Sequence, residues 1–124
     1  MPQHEALGEF EQVVLLAVAH LGARAYGVTI RREIEERTGR LVSVGALYTG
    51  LDRLERKGYV RSTISGPTPE RGGRSKRFVS LTPSGAAALQ RSRALLERMW
   101  AGLPATALRL TRHGRLQAAK RGQP

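Results

Sequence analysis

Cysteine is absent from this chain. That excludes a disulfide scaffold, Cys-ligated zinc and thiol catalysis, and it makes the cytoplasm the expected location. Aromatic residues are scarce: one Trp, two Phe and three Tyr. No apolar run approaches the length of a membrane span, and the opening MPQHEALGEF lacks the basic-then-apolar order of a secretory signal. No membrane partner is expected. Acid is also in short supply. Ten Asp and Glu stand against 21 Lys and Arg, a formal net charge of +11 over 124 residues. His4, His20 and His113 lie too far apart to suggest a metal site, and no metal or cofactor is expected. Glu33, Glu35 and Glu36 read as a solvated helix face. Ser43, Ser62 and Ser65 sit in no motif that supplies a general base. Gly72-Gly73 lacks the strand-to-helix context of a phosphate cradle. No enzyme is expected.

The positive excess is uneven. Residues 1–23 hold Glu5, Glu9 and Glu11 and no Lys or Arg. The run from Arg71 to Arg77 holds Arg71, Arg74, Lys76 and Arg77 and no acid. Residues 104–124 hold Arg109, Arg112, Arg115, Lys120 and Arg121, again without acid. Such an imbalance repels itself in a compact monomer and is relieved by a polyanion. The competing reading is an Arg-rich solvated surface. A membrane-surface role is weaker, because no basic segment carries a strong apolar face.

Periodicity divides the chain. EFEQVVLLAVAHL (9–21) has helical apolar stripes, one through Val13, Leu16, Ala17 and His20, another through Val14, Ala17 and Leu21. Gly22 ends it. YGVTIRREIEERT (26–38) predicts a second helix with Ile30 and Ile34 inward, stopped by Gly39. Ser43 is a good N-cap for a third, from Gly45 to Lys57. There Leu47, Leu51 and Leu54 share one side, Gly45, Thr49, Asp52, Arg53 and Arg56 the other, and Tyr48 the border. After Gly58 the period drops to two. YVRSTI (59–64) and KRFVSL (76–81) read as strands of a hairpin with a Gly-, Pro- and Arg-rich tip. Thr82-Pro83 opens a fourth helix running to about Leu103. Residues 104–124 read as a basic tail with at most a short helix.

The fold class expected is therefore mainly α with a small β-hairpin. Three helices and a hairpin, residues 1–81, have the element order of a winged helix-turn-helix. The segment 82–103 is a further helix suited to dimerisation. In such an arrangement the polar side of the third helix enters a DNA major groove, and the basic hairpin lies along the same duplex.

The stretch SVGALYTGLDRLERKGYV followed by GGRSKRFVSLTPSG resembles the PadR family of transcriptional regulators. The resemblance rests on Leu47-Tyr48, Arg53-Leu54-Glu55, Gly58, Gly73-Arg74, Lys76-Arg77, Phe78, Leu81-Thr82 and Gly85. Tyr26-Gly27 ahead of the second helix fits as well. The likeness covers roughly residues 7 to 103. Val44, Ala46 and Thr49 depart from the common pattern of Pro after the Ser, Ser or Thr before the Leu, and Pro after the Tyr, although some relatives share the Thr. The fold carries over on this resemblance; an operator sequence does not.

The candidate DNA-binding residues are Ser43, Gly45, Ala46, Tyr48, Thr49 and Arg53 on the third helix and Arg71, Arg74 and Lys76 in the wing. The resemblance implies that the Tyr48 hydroxyl meets a phosphate; otherwise its ring packs onto the first helix. Asp52 repels DNA unless paired with Arg53 or Arg56. In the fourth helix Leu89, Leu96 and Leu103 repeat every seven residues, with Leu95, Met99 and Trp100 alongside. So apolar a terminal helix favours a second copy as its cover. The resemblance implies the same, through the last helix together with the first. The candidate interface is Val14, Leu21, Leu89, Leu96, Met99, Trp100 and Leu103. Trp100 reads first as an interface anchor. The resemblance also offers Trp100 and Met99 as the border of a pocket for a small aromatic effector.

The expected function is a homodimeric, sequence-specific regulator on a pseudo-palindromic operator in double-stranded DNA. Repression is favoured, with an effector relieving it. Two alternatives stand beside it: a non-specific, architectural nucleic-acid binder that uses its basic charge, and a protein-interaction module reusing the winged-helix fold.

Overall fold

The computed structural model describes residues 6–65 and 75–109. The elements are α1 (Glu9–Leu21), a 3-10 turn (Gly22–Arg24), α2 (Gly27–Thr38), α3 (Val44–Arg56), β1 (Val60–Ile64), β2 (Arg77–Leu81), α4 (Pro83–Trp100) and a 3-10 turn (Ala105–Leu108). The expected helices and strands are present, with ends shifted by one residue in the middle of the chain. Helix α4 stops three residues short of Leu103. The chain divides at Arg93 into two compact units, and the division falls within α4.

Local chemistry sets these boundaries. The Ser43 Oγ accepts the Ala46 N–H at 3.0 Å, the cap that the sequence suggests. Gly39 ends α2 in the left-handed region, at φ 76°. Thr82 Oγ1 accepts the Gly85 N–H at 3.0 Å and donates to the Gly58 carbonyl at 2.7 Å, which holds the start of α4 to the end of α3. A Cβ on Gly85 would lie 2.2 Å from the Tyr59 carbonyl oxygen, so only glycine lets the two backbones meet there.

The core of the first unit takes one stripe from each helix. Val14, Leu15 and Val18 of α1, Ile30 and Ile34 of α2, and Leu47, Leu51 and Leu54 of α3 are all buried, with Val60 and Val79 from the hairpin. The three α3 leucines are 0% exposed. Each contributes about 1.5–3 kcal/mol by leaving water. That stripe fixes which side of α3 remains free.

The hairpin is antiparallel, with Ser62 opposite Val79 and Thr63 opposite Phe78. One feature is not visible in the periodicity. The segment before α2 pairs with the wing: Val79 N–H donates to the Ala25 carbonyl at 2.9 Å, and Tyr26 bridges Phe78. This pairing anchors the wing to the helical body.

The burial of α1 bears on the expected interface. Val14 is 0% and Leu21 7% exposed, both within the chain's own core. Both are spent mainly on the chain's own core, which leaves little of either to meet a second subunit. The large apolar residue of α1 that is exposed is Leu16, on the stripe that also carries exposed His20. A polar residue on that stripe was the available signal; the wholly apolar Val14–Ala17–Leu21 stripe is the one that faces the core. Leu89 is half-buried against the same core.

Candidate nucleic-acid interface

With the leucine stripe turned inward, α3 presents Gly45, Thr49, Asp52, Arg53 and Arg56 outward, all exposed. Ser43, Val44 and Ala46 are exposed at its N-terminal end. The helix is fixed from both neighbours. Arg31 of α2 donates from Nε to the Val42 carbonyl at 2.8 Å, holding the turn that leads into α3. Phe10 of α1 packs against Gly50, where a Cβ would come within 3.2 Å of its ring.

Tyr48 packs against the core, with its hydroxyl end at α2. Its hydroxyl lies so close to Gly27 that a Cβ there would be 2.4 Å away. The ring is half-buried and Arg77 lies over it, 5.8 Å from its centroid. The hydroxyl therefore sits at the first turn of α2.

Arg77 is the hub between α3 and the wing. It reaches Asp52 at 3.0 Å and Glu55 at 2.8 Å, and its Nε donates to the Ser62 hydroxyl at 2.9 Å. Ser62 in turn donates to Glu55 at 2.8 Å. The Ser62 hydroxyl and the Arg77 guanidinium together hold the Glu55 carboxyl below its ordinary pKa. Asp52 is thus paired, but with Arg77 rather than with Arg53 or Arg56. Asp52 and Glu55 lie three residues apart on one helix side, a spacing that calls for a base across from them. Sequence reading did not place that base, because it comes from a strand 22 residues beyond Glu55. The consequence for charge is direct: Arg77 is neutralised within the fold, and Arg53 and Arg56 remain outward.

Lys76 is exposed, its ammonium 4.5 Å from the Tyr26 ring centroid, and Tyr26 meets Phe78 at 5.2 Å. This cluster fixes a cation at the wing's base. Arg71 and Arg74 lie outside the described residues. In the second unit Leu96, Met99, Trp100 and Leu103 are exposed, Met99 at 73% and Trp100 at 59%. Among the described residues no helix is long and apolar enough to cross a membrane.

Comparison with known proteins gives a consistent result. A family model described as the transcriptional regulator PadR-like family matches residues 15–91. Among solved structures, a complex of RosR from H. salinarum (hsRosR-SG) is 26% identical, covers 98% of this chain and 95% of its own, and superposes with a TM-score of 0.62. A PadR family transcription regulator from Clostridium difficile is 24% identical over 74% of this chain and 91% of its own, with a TM-score of 0.60. A winged-helix DNA-binding protein from STIV is 19% identical over 81% of this chain and 100% of its own, with a TM-score of 0.61. The latter two show the fold. No curated protein matches.

Proposed function

The chain belongs to the PadR-like family of transcriptional regulators, and from that premise we propose that it is a sequence-specific repressor that binds operator DNA as a homodimer. The observation that carries this reading is the division of α3. Leu47, Leu51 and Leu54 are wholly buried, while Thr49, Arg53 and Arg56 are free to meet a duplex. The +11 charge supplies the sequence-independent attraction. Lys76 is assigned to phosphate or minor-groove contact, as are Arg74 and Arg71 on sequence grounds. Ser43 and Tyr48 are assigned to the phosphates flanking the helix.

Exposed Leu96, Met99, Trp100 and Leu103 support dimerisation through α4. The contribution of α1 passes from Val14 and Leu21 to Leu16, which borders an apolar groove with Val13, Ala17 and Ile34. Two α3 helices held by a twofold axis match two operator half-sites. Occupying a promoter then excludes polymerase. Trp100 is assigned first to the interface. An aromatic effector seated by Trp100 and Met99 is the finer reading, and the fluorescence of this single tryptophan tests it on titration with flat aromatic compounds.

The charge alone also favours a second reading, non-specific binding. Competition separates the two. At about 0.15 M salt a specific regulator stays on its own promoter fragment against excess random duplex, whereas a general binder is titrated away. Displacement at the same rate from both would overturn the specific reading. Failure to bind any duplex at low salt would favour the protein-interaction module.

A further inference from the structure

The first turn of α3 has a composition that the chain's own fold does not require. Val44 is 51% exposed. A β-branched residue is a modest helix former, and an exposed one gains little by burial. Gly45 follows it, and glycine is the poorest helix former after proline. Three other glycines answer a contact within the chain, and Gly22, Gly39, Gly58 and Gly102 answer a positive φ. A Cβ would come within 2.4 Å of another atom at Gly27, 3.2 Å at Gly50 and 2.2 Å at Gly85. At Gly45 a Cβ meets nothing within 4 Å, and the backbone is not in the left-handed region. Alanine would fit there and would favour the helix. Nothing within the chain requires glycine at this position, and its bare Cα leaves the outward side of the first turn open.

The same turn is poor in hydrogen-bonding side chains. Val44, Gly45 and Ala46 have none. The Ser43 hydroxyl is engaged with the Ala46 N–H. One turn on from Gly45, Thr49 adds a methyl and a hydroxyl on the same side. In a recognition helix these N-terminal positions are the ones that meet base edges. Among the major-groove edges, the thymine 5-methyl is the apolar feature.

We propose that Val44, aided by the Thr49 methyl, reads thymine 5-methyl groups in the major groove, and that the bare Cα of Gly45 is the clearance that lets this end of α3 approach the bases. The proposal rests on the DNA-binding reading above. It places the apolar contacts at the N-terminal end of the helix and leaves Arg53, further along, to guanine or phosphate.

The test starts from the full chain and a random-sequence duplex library. The selected half-site should carry thymine, and replacing each contacted thymine by deoxyuridine should weaken wild-type binding by about fourfold per methyl. Val44→Ala should lose that sensitivity at one position and keep it elsewhere. Gly45→Ala should raise the melting temperature of the free chain yet weaken its hold on the selected duplex, opposite signs that a structural role for Gly45 would not give. Equal affinity for thymine and uracil duplexes overturns the proposal, as does a Val44→Ala chain with undiminished sensitivity. A library that is bound without sequence preference overturns it while leaving DNA binding intact. A chain that binds no duplex overturns the DNA reading itself.

Discussion

Helices α3 and α4 both carry leucines at helical spacing, yet they dispose of them in opposite ways. In α3 the leucines are sealed in the core and the outward side is polar and basic. In α4 the residues beyond Arg93 include Leu95, Leu96, Met99 and Trp100, all exposed. The difference teaches what each helix is prepared to meet. A polar outward side with unspent Arg suits a hydrated polyanion. An apolar one loses free energy in water and is relieved by protein. On the proposed function, α3 reads DNA and α4 brings a second reading head beside the first.

The largest effect that can break this contrast is in the α3 core. Leu51→Ala should cost about 2–5 kcal/mol, much of the stability of a small domain. Thermal unfolding followed by circular dichroism checks it, and an unchanged midpoint would show that the stripe is not the anchor. Next comes α4. Trp100→Ala should weaken dimerisation by about 2 kcal/mol or more, the scale of an aromatic hot spot, while leaving the helical signal in place. Sedimentation equilibrium across a concentration series measures it, and an unaltered mass would return Trp100 to solvent.

On the outward side of α3 the effects are smaller and differ in kind. Arg53→Ala should cost about 1–3 kcal/mol on a selected duplex and relax preference at one position. Lys76→Ala should weaken binding to all sequences alike and reduce the slope of log affinity against log salt by roughly one unit. Binding isotherms at several salt concentrations distinguish the two. If both variants behaved alike, the separation of base-reading helix from phosphate-holding wing would fail.

The smallest expected effect concerns how α3 is tied to α1. Lys57, the C-cap of α3, reaches the Glu11 carboxylate at 3.0 Å, and both side chains are largely buried. Burial alone would raise the pKa of Glu11, but the Gly8 N–H and the Lys57 ammonium outweigh it and hold the carboxyl below its ordinary 4.5. A lowered folded value stabilises the fold above the unfolded value, and that stabilisation disappears as pH falls through the folded one. Melting temperature should therefore drop on acidification below 4.5, and Glu11→Gln should make that drop shallower. An equally steep loss in the variant would assign it to other carboxylates.

Much of this arrangement was legible in the sequence because it is local. The stripe Leu47–Leu51–Leu54, the Ser43 cap and the Thr82-Pro83 helix start each depend on residues within a turn or two. What escaped is long-range. The Ala25 carbonyl bonded to Val79 is backbone pairing across the body, with no side-chain pattern to announce it. Arg77 takes Asp52 and Glu55 because the wing folds back on α3, whereas along the helix Arg53 and Arg56 looked the nearer partners. Val14 and Leu21 share Leu16's helix and hydrophobicity, and the one local sign of which stripe the core covers is the polar His20 beside Leu16. Val44 departs from the family pattern in the sequence, but its exposure is a fact of the fold.

The proposed function requires the outward side of α3 to lie against DNA. Photo-crosslinking from single positions tests this most directly, with the reactive group placed in turn at Thr49, Arg53 and, as a control on the exposed side of α2, Glu36. The predicted result is transfer to labelled duplex from Thr49 and Arg53 and none from Glu36. Duplex bound with no transfer from either α3 position would contradict it.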